Sequence, residues 1–288
     1  MKVTIIGPGA IGLLLASSLE KYNDVSVLVK DKHYEILIQK GLWIKNGKKK
    51  KTIKANIVKD VKEADIVIIA VKSYDLESTK EVLKDFKGKI MVCQNGLKML
   101  EYNPKNGNDL FSIVTSVGAV SLELGITEFK GTGTTVIGNL NGDEGEILDT
   151  ETLFSDEYFE INAVTNIIEY IWLKAVINSA VNPIAALYNL KNGELRDSKY
   201  WTLVEELLNE SMNIAKENNI SFSYNPLEET KIIINKTPDN LCSMLQDLRK
   251  GQRTEIEEIN GILVRFGRKN NLDTYFNQKY LDKIIAIS

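Results

Sequence analysis

Hydrophobic and polar positions along this chain of 288 residues follow two regimes. As far as about residue 163, short apolar runs recur, each closed by glycine or polar residues. Runs at 3–6, 25–29, 65–71 and 89–93 are nearly continuous, the mark of strands buried on both faces. Residues 43–57 alternate weakly around Asn46-Gly47, which predicts a hairpin. Further strands are expected at 111–120, 134–137 and 158–163, and helices at 13–22 and 146–154. Five glycines between 131 and 145 predict turns. From 166 onward the spacing is helical, with helices expected at 198–218, 227–234, 239–250, 252–270 and 274–287. Alternating strand and helix followed by helices alone predicts two domains, 1–164 and 165–288.

The second regime opens on residues 168–195, whose apolar positions Ile171, Trp172, Ala175, Val176 and Ala180 recur every three to four residues. Lys174, Asn178 and Asn182 are set into that run at intervals of four, so they share one helical face. An exposed face would normally carry better helix formers than two asparagines. Polar groups on a buried face need partners, either neighbouring backbone or something bound in a cleft between the domains. Pro183 disfavours helical geometry at Asn182 and predicts a kink, one that could aim Asn182 and the turn Asn192-Gly193 toward the cleft.

Directly after the first strand comes Gly7-Pro8-Gly9-Ala10-Ile11-Gly12, and then a helix. Strand, Gly-x-Gly-x-x-Gly and helix form the dinucleotide fingerprint: glycines permit a tight turn that lets backbone N–H groups approach a pyrophosphate. The first domain is therefore expected to be an α/β, Rossmann-type nucleotide-binding domain. The second strand ends at Lys30-Asp31-Lys32. A cation there suits the 2′-phosphate of NADP, and an acid suits the ribose of NAD. Lys30 favours NADP, Asp31 is the competing reading, and strand register decides. Lys72 and Asn95 follow the next two strands, where open parallel sheets gather ligands.

Composition narrows the function classes. A formal net charge of −3 gives no reason to expect nucleic acid as a partner. The run at 48–51 reads as a solvated hairpin edge. His33 is the only histidine, which argues against a histidine-based acid or nucleophile pair. Cys93 and Cys242 lie in apolar surroundings without metal-ligand spacing, so no metal is expected and a reduced compartment fits. No run is long enough to span a bilayer and no signal peptide precedes the first strand, so a cytoplasmic protein is expected.

Two stretches in the second half add polar positions. Asn240 and Ser243 stand at the beginning of an expected helix, where Asp239 or Asn240 could serve as its N-cap. Glu255, Glu257 and Glu258 fall in the first turns of another, where the macrodipole favours anions; Glu257 and Glu258 read as surface caps, and Glu255 reads either way.

The series Gly7 to Gly12, Asn95-Gly96, Trp172-Leu173-Lys174 through Asn178 and Asn182-Pro183, Asn192-Gly193-Glu194-Leu195, Ser243 to Asp247, Thr254-Glu255-Ile256 and Ile259-Asn260-Gly261 resembles the ketopantoate (2-dehydropantoate 2-) reductase family in order and spacing. The resemblance implies a Rossmann-type domain followed by an all-α domain of the 6-phosphogluconate dehydrogenase C-terminal-like kind. It implies reduction of 2-dehydropantoate to (R)-pantoate with NADPH, for pantothenate and coenzyme A synthesis, and leaves a homodimer open. By position, Lys174 matches the catalytic lysine that protonates the carbonyl oxygen, and Glu255 an acid near it and the nicotinamide ribose. Asn95, Asn178, Asn182, Asn192, Asn240 and Ser243 match substrate-binding positions. Gly7 to Gly12, Lys30, Lys72, Asn95, Glu255 and the backbone of Val120 match cofactor contacts. The chain departs from the family in having lysine rather than arginine at position 30, and in lacking a threonine-rich form of 114–120. Other readings are reduction of another branched 2-keto acid, and a non-catalytic NADP(H)-binding sensor.

Overall fold

The computed structural model describes residues 1–104, 107–140, 153–155 and 157–288. They fall into two compact units. The first comprises Met1–Gln94 and Tyr102–Ile167, the second Asn95–Glu101 and Ile168–Ser288. The helix expected at 146–154 lies outside the described residues except for positions 153 and 154.

In the first unit, β1 (Lys2–Ile6), β2 (Asp24–Leu28), β5 (Asn56–Val58), β6 (Ile66–Ile69), β7 (Lys89–Val92), β8 (Leu110–Thr115), β11 (Thr134–Asn139) and β12 (Glu160–Ala163) form one sheet. Its order is β12-β11-β8-β7-β6-β1-β2-β5. The six strands from β8 to β5 are parallel to one another, and β11 joins β8 antiparallel. Ile66–Ile69 is buried at every position, as a strand covered on both faces requires. The chain goes from β1 to β2 on one side and later to β6 on the other, so a topological switch point lies at the carboxyl end of β1. Helix α1 (Ala10–Leu19) packs on this sheet with Leu13, Leu14, Leu15 and Leu19 in the core.

A second sheet has the order β4-β3-β10-β9, from β3 (Trp43–Asn46), β4 (Lys49–Thr52), β9 (Gly118–Glu123) and β10 (Ile126–Gly131). The expected hairpin is present, but Asn46 pairs with Lys49, so the turn is Gly47-Lys48, with Gly47 at φ +57°. Strand β10 and helix α2 (Asp31–Lys40) were not anticipated. Only Leu37 of α2 is buried, which leaves little apolar periodicity to read.

The second unit is helical. It contains most of α4 (Ile167–Leu187), then α5 (Ser198–Glu217), α6 (Pro226–Lys236), α7 (Ser243–Arg249), α8 (Ile262–Lys269) and α9 (Tyr275–Ile285), following a short α3 (Thr79–Val82) in the first. Trp172 of α4 is buried and its ring lies 5.2 Å from that of Phe266. Helix α4 continues through Pro183, the position at which a kink is expected, as far as Leu187. The helix expected at 239–250 begins only at Ser243, with Cys242 rather than Asp239 or Asn240 as its N-cap. The one expected at 252–270 starts at Ile256 and passes through a π-helical turn at Glu257–Gly261. Among the described residues, no helix is long and apolar enough to cross a membrane.

Candidate active site

The first unit supplies a turn shaped for a nucleotide. Gly7 follows β1 at φ +112°, a conformation that disfavours any side chain, and a Cβ there would lie 3.0 Å from the Ala70 carbonyl oxygen. A Cβ on Gly12 would lie 2.1 Å from the Gly7 carbonyl oxygen, so the third glycine lets the helix meet the turn. Gly9 caps α1 with no side chain, and its first turn carries no acid. Pro8, Gly9, Ala10 and Ile11 are half-buried. The N-terminal N–H groups of α1 thus offer an anion site at the switch point.

Lys30 stands immediately before α2, and its Nζ lies 3.6 Å from Asp75 Oδ2 with the side chain largely exposed. Asp31 falls in the first turn of α2, 3.7 Å from Lys59 Nζ. Burial, with Lys32 and Lys30 nearby, holds His33 below the ordinary imidazole value, so it is neutral at neutral pH. Lys72 is half-buried just beyond β6, at the N-cap of a 3-10 turn at Ser73–Ser78. Val120 lies on β9 in the second sheet, where its carbonyl accepts from Thr127 Oγ1 at 3.2 Å.

In the second unit, Lys174, Asn178 and Asn182 fall on the single helix α4, spaced about 6 Å apart along its axis. Lys174 and Asn178 are half-buried, and Asn182 is buried. Asn95 Nδ2 donates to Glu255 Oε2 at 2.9 Å. Glu255 is buried and precedes the helix instead of lying in its first turn, so the macrodipole reading gives way to a specific side-chain partner. Gly96 makes this approach possible. It adopts φ +78°, and a Cβ there would sit 2.3 Å from the Glu258 carbonyl oxygen.

Asn192 and Asn240 meet through the backbone: Asn192 N donates to Asn240 O at 2.9 Å. Asn192 Nδ2 donates to Thr237 Oγ1 at 2.9 Å, and its Oδ1 is a buried acceptor with no partner among the described residues. Ser243 is exposed at the start of α7. The preceding Cys242 thiol is 3.6 Å from the Asn182 carbonyl, to which it donates, and burial pushes its pKa up to about 11. Glu257 is exposed, as a surface acid should be, but Glu258 is not. It is buried, its carboxyl is raised by that burial, and Arg253 Nη2 reaches its Oε1 at 3.1 Å.

Two family models, both described as ketopantoate reductase PanE/ApbA, match the chain. One covers residues 3–142 and the C-terminal one residues 166–288. The chain belongs to the ketopantoate reductase family. The 2-dehydropantoate 2-reductase of Pyrococcus horikoshii is 33% identical over 285 residues, covering 96% of this chain and 94% of that protein. The crystal structure of a probable 2-dehydropantoate 2-reductase from Bacillus subtilis matches with a TM-score of 0.85 at 23% identity, covering 100% of both chains. D-mandelate dehydrogenase, solved with NADH and anilino(oxo)acetate, matches with a TM-score of 0.86 at 22% identity, covering 100% of this chain and 98% of that one. At such identities the two structures establish the fold alone.

Within this ketopantoate reductase fold, the glycine turn fits a dinucleotide. Its tight glycines and uncapped helix end are features that a side chain would fill. Among the described residues there is no group of three or more His, Cys, Asp or Glu suited to a metal. Sequence reasoning assigned no role to Thr237, Cys242 or Asn260. The Asn182-Pro183 pair inside a helical run was the available sign for Asn260, because a proline there obliges some other group to meet the carbonyl at 179.

Proposed function

We propose that the chain reduces 2-dehydropantoate to (R)-pantoate with NADPH, as a cytoplasmic enzyme whose two cysteines form no disulfide. The observation that carries this reading is the row Lys174, Asn178 and Asn182 on one unbroken helix, in the same unit as the Asn95–Glu255 pair. The residues that would hold the dinucleotide are Gly7 to Gly12 at the pyrophosphate, Lys30 at a 2′-phosphate, and Lys72, Val120, Asn95 and Glu255 further along it. When bound, NADPH supplies the electron pair and hydrogen that the carbonyl carbon gains.

This chain's residues do the rest. Negative charge builds on the keto oxygen as the carbon is reduced, and the Lys174 ammonium stabilises it and then donates the proton. The amides of Asn178, Asn182 and Asn192, with Asn240 and the Ser243 hydroxyl, bind the substrate's carboxylate and hydroxyl without adding charge. Asn192 Oδ1, a buried acceptor without a partner among the described residues, is suited to a substrate hydroxyl. Glu255, fixed by Asn95, is the counter-charge for a cation in the site.

The placement of Lys30 directly before α2, with Asp31 beside Lys59, supports NADPH over NADH. A second reading keeps the chemistry and changes the acid. The fold is shared with a mandelate dehydrogenase, so another 2-keto acid with a bulky side chain is an alternative substrate. Specificity constants for 2-dehydropantoate and 2-ketoisovalerate, each with NADPH and NADH, decide. The proposal requires 2-dehydropantoate with NADPH to be highest by at least about tenfold, the lower end of what a one-carbon difference contributes before the bond to its hydroxyl is added.

A further inference from the structure

A proline seventeen residues into α4 should cost this helix a hydrogen bond. Pro183 has no N–H, so the Ser179 carbonyl, four residues earlier, loses its helical donor. Ser179 is fully buried, so bulk solvent does not reach that carbonyl. Asn260 does: its Nδ2 donates to the Ser179 carbonyl oxygen at 2.8 Å.

Asn260 is itself fully buried, in the π-helical turn Glu257–Gly261 that begins two residues after Glu255. The same Nδ2 donates to Asn277 Oδ1 at 2.9 Å. Asn277 Nδ2 reaches Ser211 Oγ at 3.0 Å, and Ser211 Oγ is 2.9 Å from Ser179 Oγ. The four residues close a ring of hydrogen bonds that starts and ends at Ser179. Glu210 Oε1 anchors it from outside, accepting from Asn277 N at 2.7 Å and Asn277 Nδ2 at 2.8 Å. Wide π turns of this kind recur at functional sites, and this one places a single amide where the proline has freed a carbonyl.

We propose that Asn260 is a positioning residue for the reaction. It caps the carbonyl that Pro183 exposes, and so fixes the Lys174–Asn178–Asn182 face of α4 to the π turn that follows Glu255. The inference rests on the keto-acid reductase reading above. Ser179 adjoins Asn178 in sequence, and Asn260 lies five residues beyond Glu255. A shift at this one bond therefore moves both charged groups relative to each other.

The test is a rescue in the full-length chain. Asn260→Leu keeps the bulk but removes the donor. Pro183→Ala returns a backbone N–H to the Ser179 carbonyl, which makes the Asn260 amide dispensable there. Turnover per folded molecule is read well below the unfolding temperature, with KM for NADPH and for 2-dehydropantoate. Expected are a kcat loss of roughly a hundredfold in Asn260→Leu, the scale of a misplacement of about 1 Å, and a KM for NADPH within about twofold of the parent. Pro183→Ala alone should stay within about threefold of the parent, and the double variant should regain at least about tenfold over Asn260→Leu. A folded Asn260→Leu protein with parental kcat would reduce the residue to a packing role and overturn the proposal. A double variant no better than the single one would show that the carbonyl at 179 is not what Asn260 serves, with the same consequence. If Asn260→Leu alone does not fold, the double variant must fold and turn over within about tenfold of the parent, and its failure overturns the proposal. A parent inactive on every 2-keto acid would instead sink the function on which the proposal rests.

Discussion

Asn95 and Glu255, 160 positions apart in the chain, are joined by a 2.9 Å hydrogen bond from an amide to a buried carboxylate. Such a bond to a charged acceptor contributes about 1.5–3 kcal/mol. Asn95→Ala should lower unfolding stability by about that amount and reduce kcat. Asn95→Asp should be worse, because it sets a second carboxylate against the first. Urea unfolding alongside steady-state kinetics checks both. An Asn95→Asp protein as stable as the parent would mean that this pair does not hold Glu255.

Gly96 permits that bond by adopting φ +78° while its α-carbon passes close to the Glu258 carbonyl. Gly96→Ala should therefore cost more than the ~1 kcal/mol expected of a strained turn alone, because backbone must also move. The change should appear in kcat and in the melting temperature together. A melting temperature within 1 °C of the parent, on the order of 0.5 kcal/mol or less, would contradict it.

The glycine turn of the first unit makes a separable prediction. Gly12→Ala places a methyl 2.1 Å from the Gly7 carbonyl oxygen, so the turn must open. Dinucleotide affinity should fall by at least about tenfold, a loss of about 1.4 kcal/mol. Fluorescence titration with NADPH reads it, and unchanged affinity would argue against the turn as the pyrophosphate site.

Cys242 makes stability depend on alkaline pH. Its thiol titrates at about 11 in the folded chain, against an ordinary 9.0, because burial disfavours the thiolate. A folded-state pKa above the unfolded one means that the folded form binds the extra proton. The contribution is whole below about pH 9 and is lost as pH rises toward 11. The loss is on the order of 2–3 kcal/mol. Cys242→Ser, which keeps a donor but does not ionise there, should flatten the fall in melting temperature between pH 9 and 11. An equally steep fall in the variant would assign the alkaline sensitivity elsewhere.

The residues that could be read from sequence are those whose constraint is local. Gly7 to Gly12 declare themselves because tight backbone turns need glycine whatever surrounds them, and the apolar runs of β1, β6 and β7 need only their own neighbours. Lys174, Asn178 and Asn182 were legible because a polar row interrupts an apolar helix. Strand β10 was missed because its residues exchange partners with β9 and β3, and the latter pairing spans more than eighty residues. The partner of the carbonyl that Pro183 frees was missed for the same reason: Asn260, 81 residues from Ser179, supplies that bond. Glu258 was read as a surface acid because it falls with Glu257 in the first turns of an expected helix, where surface acids are common. Its burial comes from the packing of the turn it occupies.

The central claim is that a lysine of the helical unit delivers the proton in NADPH-dependent reduction of 2-dehydropantoate. The most direct measurement follows NADPH absorbance with 2-dehydropantoate for the parent and for Lys174→Ala, with NADPH affinity determined separately for each. The account predicts parental turnover, a loss of about a hundredfold or more in the variant, the lower end of what a positioned acid contributes, and nearly equal NADPH affinity in both. Turnover by Lys174→Ala within a few-fold of the parent would contradict it.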